Sequence, residues 1–164
     1  MGAKSYLHLP ATFPVGIRRN NPGNLAKGKN VSYLGLTDRP DTGRGPHFYA
    51  FENMAYGMRA MIQLVLSRIT KGGCTTIAKL GPKYAPPSEN NTAQWIKDVS
   101  KRAGIGPNAT LGTDHDTMKK LVMAIALKEV GSPWHKNGIT ATIDPQDFED
   151  GWAMLQTPMP AQLA

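Results

Sequence analysis

Residues 16–25 read GIRRNNPGNL, and residues 84–92 read YAPPSENNT. Each run combines amide side chains with proline and glycine, which excludes the interior of a helix or a central strand. Each is therefore predicted to be a turn of defined backbone shape. Its asparagines offer donors and acceptors that suit the hydroxyl and N-acetyl groups of a sugar. The alternative is two ordinary loops whose asparagines bond their own turns, because Asn, Pro and Gly are common turn formers.

Length and composition predict one domain with a real core, since the chain has 164 residues. No apolar run reaches the roughly 18 residues of a membrane span, so we expect no membrane insertion. The stretch Met1–Pro10 lacks the apolar core of a signal peptide, so another factor would have to deliver the protein outside a cell. A single cysteine, Cys74, excludes an internal disulfide.

The net charge of +7 favours a polyanionic partner such as nucleic acid, an anionic membrane or an acidic cell wall. The Lys and Arg residues are scattered, and no nucleic-acid-binding motif is present. We therefore expect no nucleic-acid partner. The alternative is that the charge is only a solvated surface.

Apolar periodicity predicts a mainly α domain (α+β) of about five helices. Their expected limits are Ala55 to Ile69, Thr75 or Thr76 to Leu80, Asn91 or Thr92 to Ala103, Thr113 to Val130, and Asp144 to Leu155. A small β-hairpin lobe or irregular sheet is expected between residues 25 and 51, with His47–Phe51 as the candidate strand and a turn at Asp41–Gly45. Residues 1–15 are predicted to be an irregular arm, residues 16–157 the single domain and residues 158–164 a loose tail.

Three glutamates are candidates for acid–base chemistry. Glu129 continues the apolar stripe of its helix and lies in the last turn, where partial burial and the helix dipole raise a carboxyl pKa. A raised pKa suits a general acid, whereas a solvated rim position would leave Glu129 without a role. Glu89 precedes a helix, so it is expected to be an ionised base, a charge stabiliser or a helix cap. Glu52 follows the predicted strand, in a turn that faces either a cleft or solvent.

Other chemistries have weaker signals. Asp114, His115 and Asp116 are metal-ligating types, but Asp is also expected there as a helix cap, and the histidines have no zinc spacing. Cys74 with His115 or His135 is the candidate Cys–His pair of an amidase. No serine-nucleophile elbow or phosphate loop is present. We expect no metal and no cofactor.

The blocks at residues 16–25, 47–52, 57–60 and 84–92, in this order and spacing, resemble phage virion-associated murein hydrolases. These include the muralytic structural proteins of cystovirus-type phages. The resemblance covers about residues 16–131 and implies a lysozyme-like or lytic-transglycosylase-like fold. Residues 57–99 resemble the second half of a transglycosylase domain, in which Tyr84 is the loop tyrosine. The usual acid ahead of the Asn-Pro turn is absent, since Ile17 and Arg18 stand there.

The resemblance implies a peptidoglycan-degrading lytic enzyme of a phage. Relatives carry glutamates where this chain has Glu129 and Glu89, so these two, with Glu52 as a third, are the catalytic candidates. The expected substrate-binding residues are Asn20, Asn21, Asn24, Tyr84 and Asn90. The first four of these are expected to line one cleft together with Glu89.

Cleavage of the glycan strand by carboxylate acid catalysis is the favoured activity. The alternatives are an endopeptidase that cuts the peptide cross-link and a non-catalytic virion protein that binds the wall. We expect a monomer, carried in the phage virion and acting in the host periplasm and cell wall, with other virion proteins as possible partners.

Overall fold

A computed structural model of the chain describes residues 3–28, 32–38, 47–88 and 91–156. These residues form a mainly helical α+β domain, as the sequence predicts. The elements in chain order are α1 (Val15–Arg18), α2 (Met54–Thr70), α3 (Ile77–Tyr84), α4 (Thr92–Ala103), α5 (His115–Glu129), β1 (Trp134–Lys136), β2 (Ile139–Ala141) and α6 (Pro145–Ala153), followed by a 3-10 turn at Met154–Gln156.

Helix α2 is the centre of the hydrophobic core. Its buried face includes Met58, Met61 and Val65, each fully buried. Helix α6 packs closely on α2 at Gly151, where an added Cβ would lie 2.9 Å from the backbone nitrogen of Arg59. Phe148 of α6 is also fully buried. Burial of apolar surface against α2 is therefore what joins the first and last parts of the domain.

Side-chain caps fix where most of the helices begin. Asn53, Thr76 and Asn91 each accept a hydrogen bond from the backbone N–H three residues later, at the starts of α2, α3 and α4. Asp144 forms a capping box ahead of Pro145 in α6, so these helix starts are confirmed to within a residue. Helix α5 is the exception, because Asp114 rather than Thr113 is its cap.

Helix α3 continues further than predicted. Gly81-Pro82 was expected to end it, but the helix runs to Tyr84 with Pro82 inside it. The reason is tertiary packing, since a Cβ on Gly81 would come within 2.7 Å of Ile96 Cγ1 in α4. This close contact holds the last turn of α3 against α4 and brings Tyr84 to the surface described below.

The β structure lies elsewhere than expected. Within the described part of residues 25–51, only isolated bridges join Ala26 to Phe48 and Leu36 to Phe51. The predicted strand His47–Phe51 is therefore wrong, and its predicted turn at residues 41–45 lies outside the described residues. The two-stranded antiparallel sheet is instead the hairpin β1–β2, with Lys136 opposite Ile139.

The N-terminal segment is irregular but packed. Lys4 Nζ lies 2.8 Å from Asp144 Oδ2 and 2.9 Å from Asp147 Oδ2, at the start of α6. Leu9 and Phe13 are buried in the core. The first described residues therefore belong structurally to the domain. The tail at residues 158–164 lies outside the described residues.

The first Asn/Pro run and the Gly57 block contact each other. Gly57 of α2 faces the backbone carbonyl of Asn20, and an added Cβ would lie 1.7 Å from that oxygen. No side chain fits in this space. The two sequence blocks are therefore one structural unit, in which a glycine lets a helix contact a turn.

Replacing Gly57 by Ala should destabilise the domain. Overpacking costs about 1–3 kcal/mol, and a domain of this size loses roughly 2–4 °C of melting temperature per kcal/mol. Gly106→Ala is the matched control, since its nearest added contact is Ala109 Cβ at 3.8 Å. Thermal unfolding followed by circular dichroism measures both. Equal melting temperatures for the two variants would contradict the close contact at Gly57.

Candidate active site

Glu129 is the last residue of α5 and lies half-buried in the wall of a cavity of about 590 Å³. The apolar stripe of α5, which includes the fully buried Leu121 and Ile125, directs its end towards α4. Asn24 and Tyr84 line the same cavity. Residues from two runs far apart in the sequence thus line one cavity with Glu129.

A hydrogen bond and a stack of rings hold the Glu129 carboxylate. Trp95 Nε1 donates to Glu129 Oε1 at 3.2 Å. The Trp95 ring lies parallel to that of Tyr84, with centroids 5.0 Å apart and 10° between the planes. The Arg68 guanidinium lies over the other ring of the stack, 4.7 Å from the Tyr84 centroid. Residues from α2, α3 and α4 therefore fix the position of one side chain on α5.

Burial raises the pKa of Glu129 above its ordinary value. The Trp95 hydrogen bond and the positive charges of Lys128 and Arg68 act in the opposite direction, but burial is the larger effect. A carboxyl group of this kind keeps its proton to higher pH than an exposed glutamate does. The sequence prediction of a raised pKa is confirmed in direction, and it fits a proton donor.

The Tyr84 side chain is half-buried, and its hydroxyl oxygen is buried in the same cluster. Burial raises the pKa of its hydroxyl to about 12, even though Arg68 lowers it. The hydroxyl therefore remains neutral at physiological pH and can only donate or accept a hydrogen bond.

Asn24 connects the first Asn/Pro run to the end of α5. Its Nδ2 donates to the backbone oxygen of Glu129 at 3.2 Å. Its backbone is left-handed, with φ of 50°, a conformation that asparagine tolerates better than most residues. Asn24 therefore positions the segment that carries the carboxylate.

Asn20 and Asn21 have a different role from the one predicted. Both are fully buried. Asn20 Nδ2 donates to Phe51 O at 2.9 Å and its Oδ1 accepts from Tyr6 N at 2.8 Å. Asn21 Nδ2 donates to the backbone oxygen of Leu25, and its Oδ1 accepts from the backbone nitrogen of the same residue. The prediction that they line the cleft is wrong, because their amides bond the surrounding backbone instead.

Of the remaining predicted residues, the structure describes Glu52 alone. Glu52 is exposed and is absent from the lining of the cavity described above. Glu89 and Asn90 lie outside the described residues. The preceding residues Ala85–Ser88 and the following Asn91 are described, and Asn91 caps α4.

A second cavity, of about 320 Å³, adjoins Glu129. It shares Tyr84 and Glu129 with the first, and its own lining includes Trp95, Gln94 and Lys128. The carboxylate therefore lies between two hollows. This geometry suits an extended ligand with groups on both sides of the point of reaction.

Two members of the cluster were missed from the sequence as site residues. The sequence identified Trp95 only as part of the apolar face of α4. Nothing in that pattern indicates that its indole N–H donates to Glu129. Arg68 lies in the last turn of α2, a common place for a basic residue. Their roles depend on the packing of three helices, which no local pattern contains.

Cys74 and His115, the residues named for the alternative chemistries, each have other contacts in the described structure. Cys74 is buried, with Sγ 3.9 Å from Gly72 O. The His115 ring nitrogens contact Asp116 and Glu149, each at 2.9 Å, and Asp114 is the cap of α5. Within the described ranges, no group of three His, Cys, Asp or Glu side chains converges as a metal site.

None of the described helices combines the length and apolarity that crossing a bilayer requires.

Comparison with known proteins associates the chain with a bacteriophage. It is similar to Protein P5 of Pseudoalteromonas phage PM2, with 27% identity over 117 residues that make up 71% of each chain. No protein-family model matches the chain.

Proposed function

We propose that this protein is a phage lytic enzyme that cleaves the glycan strand of peptidoglycan, with Glu129 as general acid. The observation that carries the proposal is a half-buried glutamate of raised pKa between two cavities. Glycosidic cleavage needs a carboxyl group that is still protonated when the sugar binds. The similarity to a phage protein and the resemblance of the Asn/Pro runs to murein hydrolases support the same assignment.

In the proposed reaction, Glu129 gives its proton to the oxygen of the scissile glycosidic bond. The bond between that oxygen and the anomeric carbon breaks, and positive charge develops on the sugar ring. The resulting Glu129 carboxylate can then accept the proton of an attacking hydroxyl, which returns the acid to its starting state. The attacking group is either water, giving hydrolysis, or a hydroxyl of the same sugar, giving an anhydro product.

The described lining of the two cavities contains one carboxylate, that of Glu129. Glu89 remains the proposed second carboxylate, with a role in orienting substrate or stabilising charge.

Mass spectrometry of digested murein tests the proposal directly. Products with anhydro-muramyl ends indicate a transglycosylase, and reducing ends indicate a glycosidase. Free peptides would indicate an endopeptidase and would refute the glycan assignment. A zymogram without clearing, combined with sedimentation of the protein with murein sacculi, would favour a wall-binding virion protein instead.

The pH profile should respond to the Trp95 hydrogen bond. Because this bond lowers the pKa of Glu129, Trp95→Phe should raise that pKa and move the alkaline limb of the activity profile to higher pH. Tyr84→Phe is the matched control, since it keeps a ring against Trp95 and makes no change to the bond. Turbidity loss of outer-membrane-stripped cells between about pH 4 and 9 measures the limb. If the alkaline limb of Trp95→Phe lies at the same pH as in the unchanged protein or at a lower pH, Glu129 is refuted as the titrating acid.

A further inference from the structure

Two cations line the larger cavity beside Glu129. They are Arg68, in the last turn of α2, and Lys83, in the last turn of α3. Among the described residues, neither has a carboxylate within ion-pair distance. By contrast, Lys128 in the smaller cavity is paired with Asp98 at 2.7 Å. The described lining of the larger cavity therefore carries two cations and one carboxylate, that of Glu129, and the excess of positive charge attracts an anionic ligand.

Arg68 is held in place for such a ligand. Its guanidinium lies over the Tyr84 ring, which itself stacks on Trp95. Stacking fixes the plane of the guanidinium, and a fixed planar fork of donors matches the two oxygens of a carboxylate. Arg68 Nη1 and the Tyr84 hydroxyl are both buried, and Arg68 is close enough to lower the pKa of that hydroxyl as a hydrogen-bonding neighbour, but neither atom makes a hydrogen bond of acceptable geometry among the described residues. Buried polar atoms without a hydrogen-bond partner are uncommon in folded proteins. An oxygen of a bound ligand would supply the partner here.

The placement of Arg68 is unfavourable for acid catalysis alone. Its charge lowers the pKa of Glu129, which promotes early loss of the proton that a general acid must keep. A cation in this position therefore needs another function. Pairing with an anionic group of the substrate supplies that function, and it also offsets the effect of Arg68 on Glu129.

We propose that Arg68, assisted by Lys83, binds a carboxylate of the substrate next to Glu129. This inference rests on the proposed function, because peptidoglycan is the polymer that supplies the carboxylate. Two sources share this chemistry. One is the lactyl carboxylate of muramic acid in strands without peptide, and the other is a carboxylate of the stem peptide.

The experiment is a set of NMR titrations on the full chain carrying Glu129→Gln, so that no probe is consumed. The probes are N-acetylglucosamine, which is neutral, N-acetylmuramic acid, which adds the lactyl carboxylate, and N-acetylmuramyl-L-alanyl-D-isoglutamine, whose carboxylate is on the peptide. Each is titrated into this chain and into versions that also carry Arg68→Gln, Lys83→Gln or Arg102→Gln. Arg102 is an exposed arginine of α4 outside the larger cavity, so it controls for the loss of one positive charge.

We expect at least one acidic probe to bind more tightly than N-acetylglucosamine. Arg68→Gln should weaken the binding of that acidic probe about tenfold and change the binding of the neutral probe by less than about twofold. Its effect on the acidic probe should be larger than that of Arg102→Gln. Dependence on Arg68 for N-acetylmuramic acid alone assigns the lactyl carboxylate, and dependence for the dipeptide probe alone assigns the stem peptide. Lys83→Gln should produce a smaller loss in the same direction.

The inference is overturned if neither acidic probe binds more tightly than N-acetylglucosamine, or if Arg68→Gln weakens all three equally. An equal loss in Arg102→Gln would also overturn it. Melting temperatures confirm that each variant is folded, and Arg68→Lys, which keeps the charge, should recover part of the binding if Arg68→Gln is unstable. The proposed function is judged separately, by cleavage of murein with Glu129 present or replaced.

Discussion

Replacing Glu129 by Gln should lower the rate of murein cleavage by about 100-fold or more. Glutamine keeps the size and shape of the side chain and can still accept from Trp95 Nε1, so the packing around the site is preserved. Only the transferable proton is removed. The measurement is turbidity loss of Gram-negative cells stripped of their outer membrane, at equal protein concentration.

Glu52→Gln is the matched control, because it makes the same chemical change at an exposed residue outside the cavity lining. It should stay within about threefold of the unchanged protein. Glu89→Gln is the third arm, which tests the proposed second carboxylate. If all three variants retain activity within that range, acid catalysis by a carboxylate is refuted.

Stability gives Glu129→Gln an independent readout. The folded-state pKa of Glu129 is raised, so its contribution to stability is complete below the unfolded pKa and is lost as pH rises through the folded value. The ionised Glu129 side chain therefore destabilises the folded state near neutral pH. Glu129→Gln should therefore melt at a higher temperature than the unchanged protein at pH 7, and the difference should shrink towards pH 4. A lower melting temperature at pH 7 would mean that the ionised carboxylate is stabilised by its site.

The helices were largely predictable because their signals are local. Apolar spacing in α2 and α4, and caps such as Asn91 and Asp144, depend on residues within a few positions of each other. The hairpin was also encoded locally but was missed. Asn137-Gly138, with φ of 51° and 76°, is the two-residue turn that favours a hairpin. The aromatic run His47–Phe51 has the composition of a strand, but its pairing depends on distant residues, and it forms only isolated bridges.

The candidate site was predictable only in part, for the same physical reason. The placement of Glu129 on an apolar stripe indicated burial and a raised pKa, and both follow from one helix. The hydrogen-bond partner of an asparagine in a turn cannot be predicted in this way, because its amide bonds backbone or ligand equally well. Asn24 lies at the cleft while its neighbours Asn20 and Asn21 are buried. The partner of each amide is set by chain segments that the turn itself does not specify.

Replacing Asn21 by Asp should destabilise the domain by about 3 kcal/mol or more. Asn21 Nδ2 donates to Leu25 O and Tyr49 O, both at 3.0 Å, and its Oδ1 accepts from Leu25 N at 2.9 Å. An aspartate would place an acceptor against two carbonyl oxygens in a fully buried position. Ionised, it is repelled by both oxygens, and protonated, it can donate to only one of them.

Asn91→Asp is the matched control for this substitution. Asn91 is exposed and accepts from Gln94 N at 3.0 Å as the cap of α4, where aspartate caps equally well and its charge suits the helix dipole. Thermal unfolding should show a fall of roughly 6–12 °C for Asn21→Asp and little change for Asn91→Asp. Burial raises the pKa of a carboxyl group, so the Asn21→Asp defect should shrink as the pH falls towards about 4. If Asn21→Asp melts like the unchanged protein but loses murein cleavage, Asn21 contacts substrate after all, and its buried hydrogen bonds are not what holds the turn.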